Sequence, residues 1–156
     1  MSKSLLETNS FNEDKNLAIQ LITATIPIVI LGFIFRDLIS QRIFSINDIA
    51  ISNLIFASIL LFAFLNNKGK KTLINITILG ACFIGLFQCF ALIPGASRSG
   101  AAITAGLLIG LSLKDASKFA FLLAIPTILG ALTLLIFDLN NENASFDLLN
   151  MSTVSY

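Results

Sequence analysis

The chain has 156 residues, 56% of them hydrophobic and only 12% charged, with a mean hydropathy of +0.89. Soluble domains carry about 25% charged residues, so these values exclude an ordinary soluble domain and point to an integral membrane protein. The net charge of +1 gives no electrostatic reason to expect nucleic acid as a partner.

Residues 1–16 (MSKSLLETNSFNEDKN) read as a polar N-terminal tail carrying Glu7, Glu13 and Asp14, without the pattern of a signal peptide. The membrane domain is expected over residues 17–137. Residues 17–35 (LAIQLITATIPIVILGFIF) are free of charge and nearly long enough to cross a hydrocarbon core of roughly 30 Å. Pro27 should kink this span, with Thr23 or Thr25 helping to satisfy the freed backbone. A polar connection, 36–48, holds Arg36, Asp37, Arg42 and Asp48; a second span follows at 49–65, with Asn53 as its strongly polar residue facing the bundle.

Residues 66–72 (NNKGKKT) form a tight basic loop, and residues 73–93 read as a third span with Gln88 near its end. Cys82 and Cys89 share a face of that helix, too far apart for a disulfide, and read as small packing residues. Residues 101–111 (AAITAGLLIGL) cover only about half a membrane as a helix, which suggests a re-entrant segment. Gly106 and Gly110 permit close helix approach. After a polar turn at 112–118, with Ser112 as N-cap and Asp115 in the first helical turn, a last span covers 119–137. Residues 138–156 read as a polar C-terminal tail with Asp138, Glu142 and Asp147. Lys68, Lys70 and Lys71 place the basic loop in the cytoplasm, so the third span runs outward and residues 93–101 lie at its external end.

Those residues, IPGASRSGA, hold Arg98, one of three arginines in the chain. A charge at membrane depth is expensive and is tolerated when paired or beside a polar cavity. Its sequence neighbours are Gly95, Ser97, Ser99 and Gly100, with no carboxylate before Asp115. Pro94-Gly95 breaks a helix and a new one starts after it. The grouping therefore reads as an anion site: free N–H groups at a helix start, two hydroxyls and a guanidinium fork suited to phosphate. The alternative is an arginine that snorkels to the headgroups beside two serines that cap a helix. The chain has no histidine, which excludes a histidine-based phosphatase mechanism within it, and no Cys/Asp cluster offers a metal site in its place.

The stretch LIPGASRSGAAITAGLLIGLS, residues 92–112, resembles the PGxSRSG motif of the undecaprenyl-diphosphate phosphatase (bacitracin-resistance) family. FAFLLAIPTILGA (119–131), TIPIVILGFIF (25–35) and Gln88 are similar to family segments around that motif, and the resemblance covers residues 17–137. It implies an all-α polytopic helical bundle with a re-entrant helix, one half of an inverted-repeat fold. The implied activity is hydrolysis of undecaprenyl diphosphate to undecaprenyl phosphate and inorganic phosphate, which recycles the lipid carrier for the cell wall and confers bacitracin resistance. By the same resemblance Ser97 and Arg98 are catalytic, and Ser99, Gly95, Gly100 and Gln88 bind the substrate phosphate. It further implies a multi-pass protein of the bacterial inner membrane with its site facing the periplasm, a homodimer as one assembly, and a divalent cation (Mg²⁺ or Ca²⁺). The family's glutamate-rich motif, which would bind that cation, has no counterpart here, so the chain looks like the second half of the enzyme. The rival readings are a lipid-phosphate binder or translocator and a catalytically incomplete half-enzyme.

Overall fold

The computed structural model describes residues 3–36 and 45–153, with side chains over 13–36 and 45–139. Arg42 and Asp37, and the side chains of Glu7, Glu142 and Asp147, lie outside these ranges. The described residues form an all-α bundle: α1 (Lys3–Ile34), α2 (Ile46–Asn66), α3 (Ile78–Gln88), α4 (Arg98–Leu108) and α5 (Leu113–Thr153). Both polar ends continue helices rather than leaving them, since α1 starts at Lys3 and α5 runs on to Thr153.

Three of these helices are long and apolar enough to cross a membrane, over Glu13–Ile34, Ile46–Asn66 and Leu113–Leu139. α1 and α5 run parallel. Glu13 and Asp14 share a cavity with Asp115 and Lys118 at one end, and Arg36 pairs with Asp138 (2.7 Å) at the other. α1 continues through Pro27. The expected use of its threonines differs in detail. Proline at 27 frees the carbonyl of residue 23, whereas the Thr23 and Thr25 hydroxyls donate to the carbonyls of Ile19 (2.8 Å) and Leu21 (2.7 Å).

The main departure concerns residues 73–93, which do not form a spanning helix. A 3-10 turn (Leu73–Asn75), the 11-residue α3 and a second 3-10 turn (Cys89–Leu92) take their place. Short polar side chains explain the breaks, because they offer the backbone local partners that compete with a continuous helix. Asn75 Oδ1 accepts from the Thr72 hydroxyl (2.7 Å), and Thr77 caps α3 by accepting from the Gly80 N–H (3.1 Å).

α3 and α4 then form a hairpin that enters and leaves at the same end of the bundle. Lys71 N–H donates to Gly110 O (3.1 Å) and Ser112 N–H donates to Lys71 O (3.0 Å). Asn67 braces the same root by donating through Nδ2 to the carbonyls of Leu107 (2.8 Å) and Leu111 (3.0 Å). Lys71 Nζ reaches Ile109 O at 3.0 Å. A Cβ on Gly69 would strike the Gly110 carbonyl, so the close approach requires glycine there. At the end of the hairpin, Ser112 caps α5 as expected: it accepts from the Asp115 N–H (3.2 Å) and donates to the Asp115 carboxylate (2.6 Å).

The buried core lies where the hairpin meets α1 and α5. Ala24, Ala81, Ile84, Ala105, Leu111, Phe119 and Leu123 are its centre. Small residues set the spacing: Gly85 approaches the Ala24 backbone, and Gly106 faces Ala116. Cys82 and Cys89 are free and half-buried. α2 stands apart, packing chiefly on α4, with Ala63 as its buried residue.

Asn67→Ala removes two partners from backbone carbonyls at the hairpin root, worth about 1–2 kcal/mol together. It should lower the melting temperature in detergent clearly more than Asn66→Ala, whose side chain bonds only its own helix at Phe62 O. Equal shifts would mean the root does not hold the hairpin.

Candidate functional site

The tip of the hairpin is built by backbone requirements. Pro94 follows the second 3-10 turn, and Gly95 turns the chain with φ +97°. This is the left-handed region that side chains avoid. A Cβ at Gly95 would also collide with the Ile49 carbonyl. Ala96 N–H then donates to Ile93 O (3.1 Å), and α4 starts at Arg98.

Ser97 is the N-cap of α4, its hydroxyl accepting from the Gly100 N–H at 3.2 Å. The Ser97 and Ser99 hydroxyls stand 3.3 Å apart. Capping uses one orphan donor of the helix start; the N–H groups of Arg98 and Ser99 have no intrahelical acceptor. The capping alternative raised for the serines therefore holds for Ser97, and it leaves the helix N-terminus open to an anion.

Arg98 is half-buried. Among the described residues it has no hydrogen-bond or ion-pair partner, in contrast to Arg36, which pairs with Asp138 and stacks on Phe33 (5.0 Å). Its side chain lines a small cavity of about 80 Å³ with Ile28, Val29 and Gly32 of α1, Leu92, and Thr127, Ala131 and Leu134 of α5. Ser97, Gly95 and Gly100 instead line a cavity of about 130 Å³ against Asn53, Phe56, Ala57 and Leu60 of α2. The two residues expected to act together thus border different cavities, Arg98 one against α1 and α5 and Ser97 one against α2. No carboxylate lines either cavity.

Gln88 lines neither cavity. It is 1% exposed, and its Nε2 has no hydrogen-bond partner. Phe87 and Phe90 meet edge to face with ring centroids 5.2 Å apart, and Phe90 meets Phe56 at a tilt, 5.8 Å apart, which joins the hairpin to α2. Asn53, expected to face the bundle, is exposed at residue level yet lines the Ser97 cavity. Thr127 is buried, its hydroxyl donating to Leu123 O (2.8 Å). Sequence reasoning did not connect Asn53 or Thr127 with the motif. The signal for each is a polar residue inside an apolar span, at the level of the hairpin tip.

Among the described residues, no three His, Cys, Asp or Glu side chains stand close enough to hold a metal ion. The divalent cation implied by the resemblance therefore does not fit the described residues by themselves.

The pattern of the bacitracin resistance protein BacA family matches residues 1–155. The chain belongs to this family. The match takes in both polar ends, beyond the residues 17–137 that carried the resemblance. Among curated relatives, the undecaprenyl-diphosphatase of Alcanivorax borkumensis is 41% identical over 142 residues, covering 91% of this chain and 54% of the relative. That of Alteromonas mediterranea is 42% identical over 134 residues, covering 86% and 50%. That of Corynebacterium glutamicum (strain R) is 43% identical over 111 residues, covering 71% and 38%. The chain spans about half the length of the curated relatives it matches. Family membership, three membrane-length apolar helices and the all-α fold together make it an integral membrane protein.

Gly95→Ala forces a left-handed residue, at about 1–2 kcal/mol, and a collision with Ile49. It should lower the melting temperature by several degrees, while Gly32→Ala, whose Cβ meets only Leu92 Cδ2 at 4.0 Å, should not. Equal melting of the two variants would remove the backbone constraint at the tip.

Proposed function

We propose that this chain carries the diphosphate-binding part of an undecaprenyl-diphosphatase. The observation behind this reading is Arg98: a half-buried cation without a protein partner among the described residues, at the first position of α4, in a family whose relatives bear that name. Arg98 takes the diphosphate through its guanidinium fork, and the α4 N-terminus adds N–H donors and the positive end of its dipole. Ser99, Gly95 and Gly100 complete the cradle. The Ser97 hydroxyl orients the phosphate. A serine nucleophile needs a base within reach, and neither cavity offers one, so in this reading Ser97 and Ser99 bind rather than attack. Gln88, buried behind the tip with a free amide donor, supports the loop rather than touching phosphate.

In hydrolysis, water adds to the terminal phosphorus, the bridging P–O bond breaks, and lipid monophosphate leaves with inorganic phosphate. Arg98 stabilises the charge on the transferring group. A divalent cation belongs to the part of the protein that the longer relatives carry, and no step is assigned to it here. α2, which packs chiefly on α4, is the face that the remaining half, or a second copy of the chain, would cover.

The purified chain should bind farnesyl diphosphate, with Arg98→Ala weakening binding about tenfold or more. Arg98→Lys, which keeps the charge and loses the fork, should lower phosphate release by the complete enzyme roughly 100-fold. Unchanged affinity and near wild-type turnover would refute the role of Arg98.

The orientation is part of the same reading. Lys68, Lys70 and Lys71 sit at the hairpin root, and Lys114 and Lys118 begin α5 at the same end. The positive-inside rule puts this end in the cytoplasm. The tip lies against Ile49, near the opposite end of α2, and so opens toward the periplasm. In a background lacking Cys82 and Cys89, a membrane-impermeant maleimide added to spheroplasts should label Ser97→Cys and spare Lys70→Cys. The reverse pattern would invert the topology.

A further inference from the structure

A second polar cavity, of about 250 Å³, lies at the lysine end, far from the hairpin tip. Glu13, Asp14 and Gln20 of α1, Thr72, and Asp115 and Lys118 of α5 line it. It sits where two apolar spans begin, Glu13–Ile34 and Leu113–Leu139, which is the depth of the lipid headgroups.

Its groups are not satisfied by one another. Among the described residues, Glu13, Asp14 and Lys118 form no hydrogen bond or ion pair, although they share the cavity. Gln20 adds an independent sign. It is only 7% exposed, its Nε2 donates to Ile76 O (2.8 Å), and its buried Oε1 has no donor. Buried polar atoms are normally paired, so this one calls for a ligand with N–H groups. The carboxylates are too dispersed for a metal ion. The cavity thus combines acceptors for an ammonium with one unpaired cation for a phosphate.

We infer that this cavity binds the zwitterionic headgroup of phosphatidylethanolamine. The primary ammonium has three N–H donors and enters the acidic side of the cavity, where Glu13, Asp14, Asp115 and the Gln20 oxygen supply alternative acceptors. The headgroup phosphate faces Lys118. Gln20 holds the backbone at Ile76, just before α3, so the bound lipid braces the root of the re-entrant hairpin. Phosphatidylcholine has the same phosphate and a trimethylammonium without N–H donors, and it would not satisfy the cavity. This inference does not depend on the function proposed for the hairpin tip.

The test uses the chain in nanodiscs that contain phosphatidylethanolamine and phosphatidylcholine in equal amounts, with native mass spectrometry counting the lipid retained. The wild-type chain should keep phosphatidylethanolamine over phosphatidylcholine by about tenfold, as charge-assisted hydrogen bonds predict. A Glu13→Gln, Asp14→Asn double variant should lose that preference with unchanged circular dichroism. Both positions are exposed, so the fold should survive. A Gln20→Leu variant gives a second reading of the same loss. Equal retention of the two lipids by the wild-type chain, or an undiminished preference in both variants, would overturn the inference.

Discussion

A two-bond pairing of Lys71 with Gly110 and Ser112 is the constraint on which the rest of the site depends. It ties the start and the end of the α3–α4 hairpin to the same face of the bundle. The chain between them must therefore run out and come back, and its turning point is held against α2 at Ile49. Asn67 and the glycine at 69 support this pairing, one by two side-chain hydrogen bonds and the other by the absence of a side chain.

Irregular backbone inside a membrane is tolerated only where protein or a polar cavity surrounds it. The 3-10 turn and Gly95 meet that condition by packing against α1, α2 and α5. The result is a helix N-terminus at the turn of the hairpin, with Ser97 as its cap. Among the described residues, Arg98 stands at that terminus without a carboxylate partner. Arg36 shows the contrasting use of the same residue type, spent on Asp138 to join α1 and α5.

The two ends of the bundle carry different chemistry. One end gathers lysines and the acidic cavity with its unpaired Gln20 oxygen. The opposite end holds the Arg36–Asp138 pair and lies close to the tip. The hairpin thus has its root among the lysines of one end and its loop near the other.

The sequence alone determined the membrane class, the α-helical fold and the family. Long apolar runs admit few alternatives in a bilayer, and PGASRSG is an ordered motif whose residues each serve the turn or the helix start. It also marked the apolar run at 101–111 as a helix too short to cross a membrane, and the helix found there, Arg98–Leu108, has 11 residues, because length is a local property. Only the tertiary structure decided that residues 73–93 break into two 3-10 turns around an 11-residue helix that pairs back against the next one. Hydropathy cannot separate a buried apolar helix from a lipid-facing one, and the deciding contacts join Lys71 to residues about 40 positions away. The structure likewise decided that Arg98 and Ser97 face different cavities and that Gln88 is enclosed. A side chain's direction depends on how its helix is rotated against its neighbours, and that rotation is set by packing at Gly85, Gly106 and Gly95 rather than by any local signal.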